Sequence, residues 1–203
     1  FIFLLWPLNV PDAWLFLEED PINVHYMAVL QTIRNFLGSQ ETLEPEIVVP
    51  APPTTYSIGP LTKDHLQEVL RLNLRCFRNG ENYTKHTFAY LFNTPDTLSY
   101  RAVTPNDETV GFVFVMVNQN GSGHLTTIGV APEHRRRGIA EMLLGHIDTA
   151  LRNREITTIV LEVRVSNTAA QMLYRQFGYT VVQRIENYYV NGEACYLMMK
   201  PLG

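Results

Sequence analysis

This sequence points to an α/β (α+β) architecture: a mixed, mostly antiparallel sheet of about seven strands flanked by helices, with a helical extension at its N-terminal end. Apolar runs of strand and helix period alternate from residue 55 to the end of the chain, and three strand-like runs follow one another between Leu98 and Val130. Two more runs close the chain around Asn191-Gly192, a strong hairpin turn. Pro45, Pro50, Pro52 and Pro53 favour an extended backbone and exclude helix. They divide the chain into residues 1–43, a helical extension; 44–54, a proline-rich linker; and 55–203, the main domain.

In the extension, Asp12 is placed to cap a short helix through Glu19, Pro21 suits the first turn of another, and Gly38 ends it. Met27, Leu30, Ile33 and Leu37 form its apolar stripe, which either covers a groove, makes a dimer contact or extends the core. The main domain opens on a short strand, Tyr56-Ser57-Ile58. Thr62 then starts a helix with Leu66, Val69, Leu70, Leu74 and Phe77 at helical spacing, and Tyr83 to Phe92 forms a second. Strands Leu98–Val103, Val110–Val117 and His124–Val130 suggest an antiparallel meander, the last two joined by the turn residues Asn118 to Gly123. A helix to about Arg152, a strand from Ile156 to Val165, a helix from Asn167 to about Phe177, and strands Tyr179–Ile185 and Glu193–Lys200 complete the order.

At 203 residues, 46% of them apolar and 18% charged, the composition is that of an ordinary soluble globular protein. A net charge of −4 argues against a general nucleic-acid binder, which needs a broad basic face. Cys76 and Cys195 form no Cys-x-x-Cys, and no His-Glu-x-x-His is present, so neither a disulfide framework nor a metal site is expected. Both cysteines fall in apolar elements and read as core residues, in keeping with a reducing, cytoplasmic setting. The apolar start Phe1–Leu8 is broken by Asn9, Pro11 and Asp12, well short of the ~20 residues that cross a bilayer, and no membrane partner is expected.

Chemistry concentrates at Ile128 to Ala140, an apolar strand followed by a turn and a basic, glycine-containing loop that opens a helix. At a helix start several backbone N–H groups lack an intrahelical acceptor and the macrodipole adds positive charge, so an anion fits there. Arg135, Arg136 and Arg137 add charge, while Gly138 and Ala140 keep the backbone accessible to a bulky pyrophosphate. The alternative is a solvated basic turn. The loop has neither the Gly-x-Gly-x-x-Gly of a dinucleotide fold nor the Gly-Lys-Ser/Thr of a P-loop.

The spacing Arg135-x-x-Gly138-x-Ala140 resembles the acyl-CoA signature of the GNAT superfamily of N-acetyltransferases. The run Leu161-Glu162-Val163-Arg164-Val165-Ser166-Asn167, with Leu173-Tyr174 and Phe177-Gly178-Tyr179, resembles the bacterial ribosomal-protein-alanine N-acetyltransferases. The tail from Asn187-Tyr188-Tyr189 to Met198 is similar to these and to catalytic subunits of protein N-terminal acetyltransferases. The element order over roughly residues 55 to 200 is also that of the superfamily.

The resemblance implies acetyl-CoA as co-substrate. Ile128, Gly129 and Val130 would offer backbone hydrogen bonds to its pantetheine arm, with the Val130 N–H polarising the thioester carbonyl. Its pyrophosphate would lie against Arg136, Arg137, Gly138, Ile139, Ala140 and Glu141. Glu141 replaces a residue that is usually small, polar or basic, which weakens phosphate binding. Asn167 would hold the pantetheine or act as a plain N-cap.

Acetyl transfer needs a neutral amine, a polarised carbonyl and a protonated leaving sulfur. Glu162 interrupts an apolar strand, where desolvation disfavours the charged carboxyl and suits a general base, acting directly or through a water. Its alternative is an ion pair with Arg164 on the same strand face. Tyr174 corresponds to the family's general acid; the alternative is a ring packed in the core. Tyr188 and Tyr189 correspond to residues that grip the acceptor peptide, or else they pack across strands. A peptide α-amine, at a pKa of about 8 against about 10.4 for lysine, is the easier group to deprotonate. The sequence therefore points to an acetyltransferase, monomeric or homodimeric, acting on protein N-termini. A small-molecule amine acetyltransferase and a non-catalytic acyl-CoA-binding module are the alternatives.

Overall fold

The computed structural model describes residues 48–77, 82–118 and 121–203. The expected helical extension and the first residues of the linker lie outside these. The main domain carries the mixed sheet of seven strands, in the order β1-β2-β3-β4-β5-β7-β6. Strands β1 (Ser57–Pro60), β2 (Thr97–Val103), β3 (Thr109–Val117) and β4 (Ser122–Val130) form an antiparallel run. Helices α1 (Leu66–Cys76) and α2 (Lys85–Asn93) separate β1 from β2. Helix α3 (Ile139–Arg152) carries the chain from β4 to β5 (Thr158–Arg164), and this crossover makes β4–β5 the sheet's parallel pair. Helix α4 (Thr168–Gln176) leads to β6 (Thr180–Ile185) and β7 (Cys195–Pro201).

Element ends follow local hydrogen bonding. The helix expected from Thr62 begins as a tight 3-10 turn at Lys63–His65, with the Thr62 N–H donating to His65 Nδ1 at 3.1 Å. Helix α2 starts at Lys85 rather than Tyr83, because the Thr84 hydroxyl caps it by accepting the Thr87 N–H and the Tyr83 carbonyl is taken by Asn73. Strand β5 omits Ile156, whose N–H closes the end of α3 on the Leu151 carbonyl. Strand β7 begins at Cys195 rather than Glu193, whose N–H donates to Asn191 Oδ1 in the preceding loop and whose carboxylate accepts from Arg164 and the Ser166 N–H at the end of β5.

Helix α3 buries Ile139, Leu143, Leu144, Ile147 and Leu151 against one sheet face. It lies so close that a Cβ added at Gly111 or Gly123 would come within 3.0 Å of Ile139 or 3.1 Å of Leu151. The opposite face is aromatic: the Phe88 ring of α2 lies 5.4 Å from Phe114 and 6.0 Å from Phe112, all fully buried. Burying each such ring contributes about 1.5–3 kcal/mol before ordering costs.

One irregularity in this sheet matters most for the site. Phe114 pairs with Thr127 but Val115 with Leu125, so Thr126 is an extra, bulged residue in β4. The Tyr83 hydroxyl donates to the Thr126 carbonyl at 3.1 Å. Pairing between β4 and β5 stops at His124↔Val160, although both strands continue, to Val130 and Arg164. Past the bulge, a gap flanked by backbone opens between them.

Candidate active site

At the closed end of this gap, His124 is the last paired residue of β4, and Glu162 lies two residues beyond its partner Val160 on the same face of β5. His124 Nε2 and Glu162 Oε2 are 2.8 Å apart, with the two side chains 2% and 1% exposed. An ionised Glu162 only accepts, so Nε2 carries the proton; Nδ1 is buried with no partner, as an unprotonated nitrogen tolerates better than an N–H. His124 was not among the residues expected at the site. Its signal in the sequence is a histidine near the start of a strand that continues Leu125-Thr126-Thr127-Ile128-Gly129-Val130, with no indication of what it faces. Arg164, two residues along β5 from Glu162, donates to Glu193 at 2.7 Å and to Asn191 at 3.2 Å.

At the open end, Arg136 and Gly138 both adopt left-handed φ values, 62° and 77°. Gly138 caps α3, and the first bond into the helix runs from the Met142 N–H to the Gly138 carbonyl at 2.9 Å. The N–H groups of Ile139, Ala140 and Glu141 thus precede the helical ladder, and nothing lies within 4 Å of a Cβ added at Gly138. This bare helix start and the backbone-lined gap fit an elongated ligand with an anionic end.

The three arginines of the loop have different tasks. Arg135 donates through Nε to the Val130 carbonyl at 3.1 Å and through Nη2 to that of Cys76 at 3.3 Å. Arg137 donates to the Pro52 carbonyl at 2.8 Å, to the Ala51 carbonyl, and to the Tyr56 hydroxyl at 3.0 Å. The Tyr56 hydroxyl is in turn hydrogen-bonded with His134 Nδ1 at 2.9 Å. The Ala51 N–H donates to the Glu133 carbonyl at 3.0 Å. Arg135 therefore ties the loop to β4 and to the end of α1, Arg137 fastens the second half of the proline-rich linker to it, and Arg136 is exposed. Gly129 answers to packing: a Cβ there would strike the Phe112 ring at 2.7 Å and lie 3.1 Å from Cys76 Sγ.

Asn167 caps α4, its Oδ1 accepting the Ala170 N–H at 3.1 Å. Tyr174, seven residues on, is 6% exposed with its ring 5.6 Å from that of Tyr179, and burial pushes its phenol well above the usual range. Tyr188 and Tyr189 lie in the loop between β6 and β7, outside both strands, with their rings edge-on at 5.1 Å. The Arg164 guanidinium carbon stands 3.6 Å from the centre of the Tyr189 ring. Among the described residues no group of three or more His, Cys, Asp or Glu is placed to hold a metal ion. None of their helices is long and apolar enough to cross a membrane.

Comparison with known proteins bears on this geometry. The family described as "Acetyltransferase (GNAT) family" matches residues 66–179. The N-alpha-acetyltransferase of Saccharolobus solfataricus is 30% identical over 151 residues, covering 68% of this chain and 89% of that protein. The N-terminal acetyltransferase A complex catalytic subunit NAA10 of Arabidopsis thaliana is 32% identical over 146 residues, 70% of this chain and 75% of that one. Among solved structures, the ribosomal-protein-S18-alanine N-acetyltransferase from Escherichia coli aligns with a TM-score of 0.67 at 28% identity, covering 73% of this chain and 95% of that chain.

Proposed function

This chain belongs to the acetyltransferase (GNAT) family and is an N-acetyltransferase, and from that premise we propose that it acetylates the α-amine of protein N-termini. The observation that carries the mechanism is the buried His124–Glu162 pair at the closed end of the β4–β5 gap. Support for the α-amine comes from the relatives whose names specify N-alpha or N-terminal acetylation. Its lower pKa, about 8 against about 10.4 for lysine, also asks less of a carboxylate base.

Acetyl-CoA supplies the acetyl group as a thioester. Its pantetheine arm would follow the backbone of Ile128, Gly129 and Val130, on the length of β4 that β5 leaves unpaired, where the Val130 N–H polarises the carbonyl. The pyrophosphate would meet the free N–H groups of Ile139, Ala140 and Glu141, with Arg136 as the available cation. Arg135 and Arg137 support that site by fixing the loop's shape. The neutral acceptor nitrogen attacks the carbonyl carbon, a C–N bond forms and the C–S bond breaks. Glu162 receives the acceptor's proton; because its side chain is 1% exposed, a water is the natural carrier. His124 holds the carboxylate in one orientation throughout. Tyr174 directs its hydroxyl at the leaving sulfur. An ordinary phenol lies about 2 kcal/mol uphill of a model thiol for full proton transfer, and burial widens that difference, so Tyr174 stabilises the departing thiolate by a strong hydrogen bond and the thiolate takes its proton from solvent water. Tyr188 and Tyr189 grip the first residues of the acceptor.

The test is thiol release from acetyl-CoA with matched peptides, one with a free N-terminus and no lysine, the other N-terminally blocked with a free lysine. Turnover should be confined to the first, and Tyr174→Phe should lower kcat by about a hundredfold. Equal turnover of the blocked peptide, or turnover of small amines alone, would overturn the assignment.

A further inference from the structure

The loop between β6 and β7 is fastened to the end of the strand that carries Glu162. Arg164 closes β5, two residues from Glu162 and on the same face. Its Nη1 donates to Glu193 Oε2 at 2.7 Å and to Asn191 Oδ1 at 3.2 Å, while its guanidinium carbon lies 3.6 Å from the Tyr189 ring centre. The other Glu193 oxygen accepts the Ser166 N–H at 2.9 Å, at the junction of β5 and α4. The loop's own turn is closed by Gly192 N–H to the Tyr189 carbonyl at 2.8 Å and Tyr189 N–H to the Glu193 carbonyl at 3.1 Å. A planar guanidinium can donate along its edge and stack on an aromatic face at once; a lysine ammonium cannot do both. Pairing with Glu193 also cancels the positive charge that would otherwise confront an incoming ammonium group.

We propose that Arg164 is a positioning residue for the acceptor peptide, setting the ring of Tyr189, and through its edge-on contact that of Tyr188, at a fixed place relative to Glu162. Arg164 does not touch the reacting atoms. The inference rests on the reading that the two tyrosines grip the acceptor.

The experiment is a double-mutant cycle on peptide kinetics. Arg164→Met should raise the KM for a good peptide about tenfold, with kcat within about threefold and the KM for acetyl-CoA unchanged. In a Tyr189→Ala background the same change should add less than about twofold, because the ring it positions is gone. Arg164→Lys, which keeps charge without the stack, should stay close to Arg164→Met. Unchanged peptide KM in Arg164→Met, independent multiplication of the two effects, or full recovery by lysine would each overturn the proposal. If Arg164→Met does not fold, Glu193→Gln removes the charge that anchors the guanidinium and should raise the same KM by a smaller factor; no rise refutes the role. Should Tyr188→Ala and Tyr189→Ala leave peptide KM unchanged, the acceptor reading itself fails and this inference with it. Tyrosine effects without arginine effects defeat the inference alone.

Discussion

Replacing Glu162 by glutamine or by alanine separates a catalytic carboxylate from a structural one, because the two changes leave His124 in different states. In Glu162→Gln the amide oxygen can still accept from Nε2, so the buried imidazole remains paired at about the present 2.8 Å. The stability cost should be about 1 kcal/mol, a fall in midpoint of roughly 3 °C for a domain of this size. Glu162→Ala leaves the imidazole without its Nε2 partner, with Nδ1 already unpartnered, and opens a cavity where a side chain was 1% exposed. That combination should cost about 3–5 kcal/mol and lower the midpoint by roughly 10 °C. On the base role proposed for Glu162, turnover of a good peptide should fall by about 10²–10⁴ in each variant, far out of proportion to the small stability loss of the glutamine variant. Thermal melts and thiol release, measured on the same preparations, decide the matter. A glutamine variant within tenfold of the parent's kcat refutes the base role, and equal midpoint losses refute the account of the His124 bond.

Three further outcomes are expected. Gly138→Ala meets no atom within 4 Å, so its cost is the left-handed φ of 77° alone, about 1–2 kcal/mol, and any relaxation of the loop should appear as a raised KM for acetyl-CoA. Burial pushes the Cys76 thiol up to about 11, against the opposing charges of Arg135 and Arg75. Native protein should therefore alkylate slowly at neutral pH and speed up only towards pH 11, whereas denatured chain reacts from about pH 9; stability contributed by the protonated thiol declines across that window. Burial raises the Glu193 carboxyl, but hydrogen bonds from the Ser166 N–H and Arg164 more than reverse this and hold it below the usual range. Its contribution to the loop is present above the ordinary carboxylate pKa and is lost as pH falls through the lowered value, so thermal melts at acidic pH should show a loss of midpoint in the parent that is smaller in Glu193→Gln.

Much of this molecule is written in short-range pattern. Helix and strand periods, the caps Thr84 and Asn167, the left-handed Gly138 and the turn at Asn191-Gly192 each depend on residues within four or five positions of one another, so reading along the chain recovers them. The meander, the closing hairpin and the resemblance carried by the loop and by Glu162, Asn167 and Tyr174 are legible for the same reason. What that reading misses is partnership across distance. Nothing near His124 shows that it faces Glu162, 38 residues away, because that contact depends on a parallel register that ends after three pairs. Three consecutive arginines look alike in sequence, yet Arg135 reaches a carbonyl 59 residues distant and Arg137 one 85 residues distant.

The order of the closing hairpin shows the same division. Both β6 and β7 are recognisable strands, but β7 is inserted beside β5 with Cys195 and Met198 fully buried, leaving β6 at the sheet edge with Val181 and Val182 exposed. Local periodicity encodes which residues of an element share a face; it does not encode which neighbour that face will meet. Pairing, splaying and charge partnership are settled when elements distant in the chain pack together, since only then are polar groups removed from water and obliged to find partners.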